Sequence, residues 1–170
     1  MTTLPTRQLG RSGLELTVVG LGCNNFGRPG TFTETQAGTT AVLEAAIDAG
    51  VTFFDTADMY GGHPGMSEEY MGVALRGQRD KVILATKFGH SAIDLGLADG
   101  APKGSRTYIR AAVAQSLRRL QTDYLDLYQL HTPDPVTPID ETIGALRELV
   151  AEGTIRSFGQ SNFEDRKSVV

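Results

Sequence analysis

The sequence has one cysteine, Cys23, among 170 residues. No internal disulfide can form, which points to a reducing compartment. Basic residues are not in excess: 16 Lys and Arg stand against 20 Asp and Glu, a net charge of -4. A protein that grips nucleic acid needs a basic face, so nucleic acid is not expected as the main partner. No apolar run nears the ~18 residues that span a bilayer. The polar start "MTTLPTRQLGRSG" lacks the apolar stretch of a secretory signal. These absences predict a cytoplasmic protein with no membrane partner. The three histidines, His63, His90 and His131, have no metal-ligand spacing, so no metal is expected. No internal repeat is visible.

Apolar residues make up 40%, enough for one well-buried domain over residues 1–170. Short apolar runs alternate with longer helical patterns. Strands are expected at "LTVVGLG" (16–22), "VTFFD" (51–55), "KVILATK" (81–87), "YLDLYQLH" (124–131) and "TIRSFGQSN" (154–162). Helices are expected over 32–50, 67–77, 105–121 and 137–153. Thr33 with Gln36 suits a capping box for the first, Ser67 an N-cap for the second, and Thr137 with Pro138 a start for the fourth. The third has an apolar face of Ile109, Val113, Leu117 and Leu120. Glu68 and Glu69 read as first-turn acids, and Arg118 with Arg119 as a solvated face.

Strand–helix alternation with continuously apolar strands means an α/β fold, a parallel sheet covered by helices. A doubly wound sheet and a (β/α)8 TIM barrel compete. No GxGxxG follows the first strand, which weakens the dinucleotide-binding doubly wound form. The strand ends at Asp55, Lys87, His131 and Ser161 are 32, 44 and 30 residues apart. A barrel has roughly 31 residues per unit, so the spacing favours it. Five units do not close a barrel of eight. The expectation is a barrel truncated to about its first five strand–helix units, able to self-associate through its open edge.

Polar residues end the last four strands: Asp55, Lys87, His131, then Ser161 and Asn162. In a parallel α/β sheet these ends share one face, where active sites form. Tyr60 follows Asp55 by one short loop and can fold back over that face. An ammonium near a phenol favours the phenolate and eases proton transfer. Lys87 suits that role beside Tyr60, with Asp55 holding the ammonium and His131 orienting a carbonyl. A phenol placed so can protonate a carbonyl oxygen as hydride reaches its carbon, general acid catalysis typically worth about 10²–10⁴-fold. Hydride needs a carrier, so a nicotinamide cofactor is implied. Ser161 and Asn162 suit its carboxamide.

The stretches "VVGLGCNNFG", "AIDAGVTFFDTADMYGG", "SEEYMGVAL", "VILATKFG", "SLRRLQTDYLDLYQLHTPDP" and "LRELVAEGTIRSFGQSNF" resemble, in order, the N-terminal portion of an aldo/keto reductase. The nearest branch is the one that includes potassium-channel β-subunits and bacterial or plant reductases of pyridoxal and sugar aldehydes. The resemblance implies a catalytic tetrad of Asp55, Tyr60, Lys87 and His131 and reduction of a small carbonyl substrate. It implies NADPH as cofactor, with NADH as the alternative. It places Gly22, Cys23, Asn24, Asp55, Ser161 and Asn162 near the nicotinamide. A non-catalytic nicotinamide-binding regulatory subunit, an inactive fragment and a Schiff-base lyase using Lys87 are the competing readings.

Overall fold

A short antiparallel hairpin opens the chain: β1 (Thr6–Gln8) pairs β2 (Glu15–Thr17), with Arg7 opposite Leu16. The expected strand over 16–22 is therefore two pieces. Its first part belongs to β2, and only β3 (Gly20–Gly22) enters the main sheet. The computed structural model describes residues 4–97 and 100–163, so the final "EDRKSVV" lies outside the described residues.

The main sheet has five parallel strands in sequence order: β3, β4 (Phe53–Asp55), β5 (Ile83–Phe88), β6 (Leu125–Leu130) and β7 (Ile155–Gln160). Right-handed strand–helix–strand connections are the standard way to build such neighbours. The helices between them are α1 (Gln36–Asp48), α2 (Met66–Ala74), α3 (Arg106–Leu120) and α4 (Ile139–Ala151). Phe54, Leu84, Phe88, Leu125 and Tyr128 from the strands meet Leu43, Met71, Ile109, Leu120 and Leu149 from the helices in one core. Burying each such side chain contributes about 1.5–3 kcal/mol.

The helix starts differ from expectation in instructive ways. Thr33 lies in a 3₁₀ turn (Phe32–Glu34), and α1 is capped by Thr35, whose Oγ1 accepts from Gly38 N at 3.1 Å. A two-residue shift suffices because several threonines there can cap. Ser67 does not cap α2; the chain enters that helix through Gly65 at φ 85°, a left-handed backbone that suits glycine. The Ser67 hydroxyl is thereby released to bond Cys23 O at 2.9 Å and Thr56 Oγ1 at 2.9 Å. Pro138, not Thr137, precedes α4, because Thr137 Oγ1 donates to Asp134 at 2.6 Å. Ser105, the first residue of the expected third helix, instead caps α3, accepting from Tyr108 N at 3.3 Å.

At the N-terminal ends of the strands, Asp126 is fully buried between two arginines. Its carboxylate accepts from Arg79 and Arg156, each at 2.8 Å, and from Leu84 N at 2.9 Å. Both guanidiniums also lie over Tyr124, at 4.1 and 4.4 Å from the ring centroid. This node joins β5, β6 and β7 at the end opposite the polar strand ends.

Candidate active site

β4 ends in Asp55, and the chain then runs beside β5. Thr56 N donates to Ala85 O at 2.9 Å and Asp58 N to Lys87 O at 3.1 Å. The loop turns at Tyr60, whose N–H reaches Ala57 O at 3.1 Å, and Tyr60 O accepts from Ser67 N at 3.1 Å. A phenol is thus held over the strand ends by backbone bonds on both sides.

Lys87 is 6% exposed, and its ammonium is paired. Nζ donates to Asp55 Oδ2 at 2.7 Å and to Thr56 O at 2.9 Å. Burying a charge is tolerable only with such partners. An ammonium has three hydrogens, so one is left for a further acceptor. Nζ lies 5.2 Å from the Tyr60 ring centroid. The His131 ring meets Tyr60 edge-on, with centroids 5.9 Å apart. The four side chains singled out in the sequence therefore converge on one spot.

His131 follows β6, its N–H donating to Phe88 O at 2.7 Å. Burial, then the charge of Lys87 and the nearness of His90, bring its pKa down to about 4. It is neutral at physiological pH. Its Nδ1 is buried without a partner, so the tautomer with hydrogen on Nε2 leaves only a lone pair unpaired and supplies a donor from the other side of the ring.

Ser161 and Asn162 follow β7. Asn162 adopts φ 57°, and its Nδ2 donates to His131 O at 2.9 Å and Ser161 Oγ at 3.2 Å. Gly22 pairs with Asp55 across β3 and β4, and Asn24 is exposed. Cys23 stands apart from these: its side chain is fully buried, and burial pushes its thiol up. Its contribution is a backbone N–H given to Asp55 O at 2.8 Å. A cavity of about 480 Å³ lies between the β1–β2 hairpin, which lines it with Arg7, Leu9 and Leu16, and the sheet, which lines it with Gly20, Gly22, Phe53 and Asp55.

Several residues that support this cluster were not legible as such in the sequence. Glu68 is not a solvated first-turn acid. It is fully buried, accepts from Thr86 Oγ1 at 2.6 Å and is paired with Arg119 Nε at 2.6 Å. Arg119 accordingly does not belong to a solvated face. Thr86 immediately precedes Lys87, so the network braces β5 from behind. His90, half-buried in the loop after β5, has its ring centroid 5.1 Å from that of His131. Only pairing across elements distant in sequence makes these roles visible.

The Aldo/keto reductase family profile matches residues 18–169. The uncharacterized oxidoreductase YqkF of Bacillus subtilis (strain 168) is 44% identical over 156 residues, which is 92% of this chain and 48% of that protein. The aldo-keto reductase YhdN of the same organism is 44% identical over 89% of this chain and 45% of its own length. The chain thus spans about half the length of these relatives. Among solved structures, the aldo-keto reductase AKR11C1 from Bacillus halodurans in its holo form superposes with a TM-score of 0.78 at 40% identity, covering 92% of this chain and 50% of that one. An aldo/keto reductase from Klebsiella pneumoniae, in complex with NADP and acetate, does so with a TM-score of 0.73 at 38% identity over 89% and 48%. Their fold is the TIM barrel that the strand spacing favoured, and five of its parallel strands are present here. In sequence and in fold, the chain belongs to the aldo/keto reductase family.

Proposed function

We propose that this chain carries the nicotinamide-proximal half of an NADPH-dependent reductase that converts an aldehyde or ketone to an alcohol. The observation that carries the reading is the Lys87 ammonium, held by Asp55 at 2.7 Å beneath the Tyr60 ring. It is a buried cation maintained next to a phenol.

The strand ends fit the carboxamide end of the cofactor. Asn162 spends its Nδ2 on His131 O, so its Oδ1 is available to accept from a carboxamide N–H. Ser161 supplies a hydroxyl beside it. Gly22 has no side chain to crowd Asp55, and a Cβ built there meets no atom within 4 Å. The relative from Klebsiella pneumoniae, solved with NADP, supports NADPH over NADH. A reduced nicotinamide bound there supplies the hydride. Tyr60 Oη donates its proton to the carbonyl oxygen. Lys87 stabilises the phenolate left behind, and Asp55 keeps Lys87 charged and in place. Neutral His131 orients the carbonyl by donating from Nε2.

NADPH deuterated at the hydride position tests the reaction. The expected result is deuterium on the carbinol carbon of the alcohol made from a small aldehyde. Oxidation of NADPH with no deuterium in the product refutes the hydride transfer. A second test isolates the cofactor face. Gly22→Val fills open space, so the unfolding midpoint stays put. NADPH affinity is expected to fall at least tenfold, about 1.4 kcal/mol, in a fluorescence titration. Unchanged affinity removes Gly22 from the binding surface.

A further inference from the structure

The core holds a second set of polar side chains that this reaction does not use. Asp58 is 3% exposed, and among the described residues neither of its carboxyl oxygens makes a well-formed hydrogen bond, although the Gly89 backbone N–H is directed at the carboxyl. The hydroxyls of Tyr108, on α3, and Tyr128, on β6, are likewise buried without partners. Folded proteins rarely leave buried polar atoms unpaired. Here three such side chains come from three separate elements. Tyr108 and Tyr128 share one buried core, and burial first, then a charge on Asp58, raises both phenols.

The charged groups facing Asp58 do not neutralise it. Glu68, on α2, is a buried carboxylate of the same sign. Arg119, on α3, is committed to Glu68 at 2.6 Å. Lys103, in the loop before α3, donates to Ile93 O and stands 4.6 Å from the Tyr108 ring centroid. Among the described residues no cation forms an ion pair with Asp58. An ionised carboxylate in such surroundings is costly, whereas a protonated one both donates and accepts. Water is the usual bridge between buried polar atoms that do not touch.

The position of Asp58 gives this cluster a consequence. Its backbone N–H is bonded to Lys87 O at 3.1 Å, and it stands two residues before Tyr60. We propose that Asp58 is a positioning residue: its protonated carboxyl joins the hydroxyls of Tyr108 and Tyr128, through water where they do not meet, and so fixes the loop that carries Tyr60 against the backbone of Lys87. This rests on the reading of Tyr60 as proton donor only for its importance to catalysis.

Burial, then Glu68, push the Asp58 carboxyl up to about 7 from 3.8, against the pull of Arg119, Lys103 and the Gly89 backbone N–H. The folded state then holds a proton that the unfolded state has lost. Stability contributed by this group therefore falls as pH rises from 3.8 to about 7. His131, lowered from 6.5 to about 4, acts in the opposite sense, since its neutral folded form is favoured as pH rises. The two effects mask each other in the wild type, and a variant separates them.

The test compares urea unfolding of the chain and of Asp58→Asn across this pH range, with Tyr60 and Lys87 amide resonances followed in parallel. Asn keeps the shape of the neutral acid and cannot ionise. Its advantage over wild type is expected to grow with pH, reaching at least a tenfold smaller unfolding constant above neutral pH. The wild-type Tyr60 amide is expected to titrate with a midpoint near 7, and the Asn variant to lose that step. Parallel stability profiles would overturn the protonated state. A Tyr60 amide that ignores the transition would overturn the positioning role. Should Asp58→Asn fail to fold, the wild-type amide titration decides alone. Neither readout involves cofactor or carbonyl turnover, so either can fail while reductase activity stands, and the reverse.

Discussion

Tyr60→Phe is expected to lower carbonyl reduction by about 10²–10⁴-fold while leaving NADPH affinity within about twofold of wild type. The substitution removes one hydroxyl and keeps the ring. The contacts that place the residue are preserved: the backbone bonds to Ala57 and Ser67, the edge contact with His131 at 5.9 Å, and the approach of Lys87 Nζ at 5.2 Å. Lys87 also keeps Asp55 and Thr56 as acceptors, so the buried ammonium is not stranded. What is lost is the proton that meets the developing alkoxide. Water can supply it only from a less favourable position, which is why some turnover remains. Steady-state kinetics with a small aldehyde, beside a direct NADPH titration, separates the two effects. The same variant tells this chemistry from a Schiff-base mechanism on Lys87. There, borohydride would trap a carbonyl substrate on Lys87 whether residue 60 is Tyr or Phe. Unchanged turnover in Tyr60→Phe would remove the phenol from the mechanism.

Asp126→Ala carries the largest expected cost in stability, about 3–5 kcal/mol. The carboxylate is fully buried and is the meeting point of three donors. The partners do not count equally. The Arg156 side chain is 51% exposed, so its arm is screened by water and contributes under about 1 kcal/mol. The Arg79 side chain is 15% exposed and loses a partner it cannot easily replace. Leu84 N is left as a buried donor without an acceptor, at about 1–3 kcal/mol. Asp126→Asn keeps an oxygen for Leu84 N and should recover part of the loss. Urea unfolding of both variants at one pH gives the comparison. An alanine variant within about 1 kcal/mol of wild type would show that the arginines are satisfied by solvent and by Tyr124. The node lies at the strand ends opposite Lys87, so NADPH affinity of the folded fraction should not change.

The parts of the fold that were legible are those written locally. "KVILATK" and "YLDLYQLH" are mostly apolar stretches, and β5 and β6, buried at nearly every position, fall within two residues of them. The helix expected over 105–121 is α3 to within one residue at each end, with Ser105 as its cap. The β1–β2 hairpin was not legible, since its strands are three residues each and mostly exposed, with no alternation to mark them. Ser67 misleads because capping is only one use of a hydroxyl, and a left-handed glycine had already started the helix. The convergence of Asp55, Lys87 and His131 could be read from polar residues closing apolar strands, a local signal joined to a topological rule. Glu68, Arg119 and Asp58 could not be read so. Each looks like an ordinary surface charge until α2, α3 and the loop after β4 are brought together.

The measurement that bears most directly on the proposed site is a thermal melt of the 170-residue chain with and without NADPH. A ligand that binds only the folded state, at 100 times its dissociation constant, stabilises it by about 2.7 kcal/mol. The expected result is one cooperative transition that NADPH moves upward, by the same amount in wild type and Tyr60→Phe and by less in Gly22→Val. A cooperative transition that NADPH leaves in place would contradict the account: Gly22, Asp55, Ser161 and Asn162 would then form no nicotinamide site in this chain.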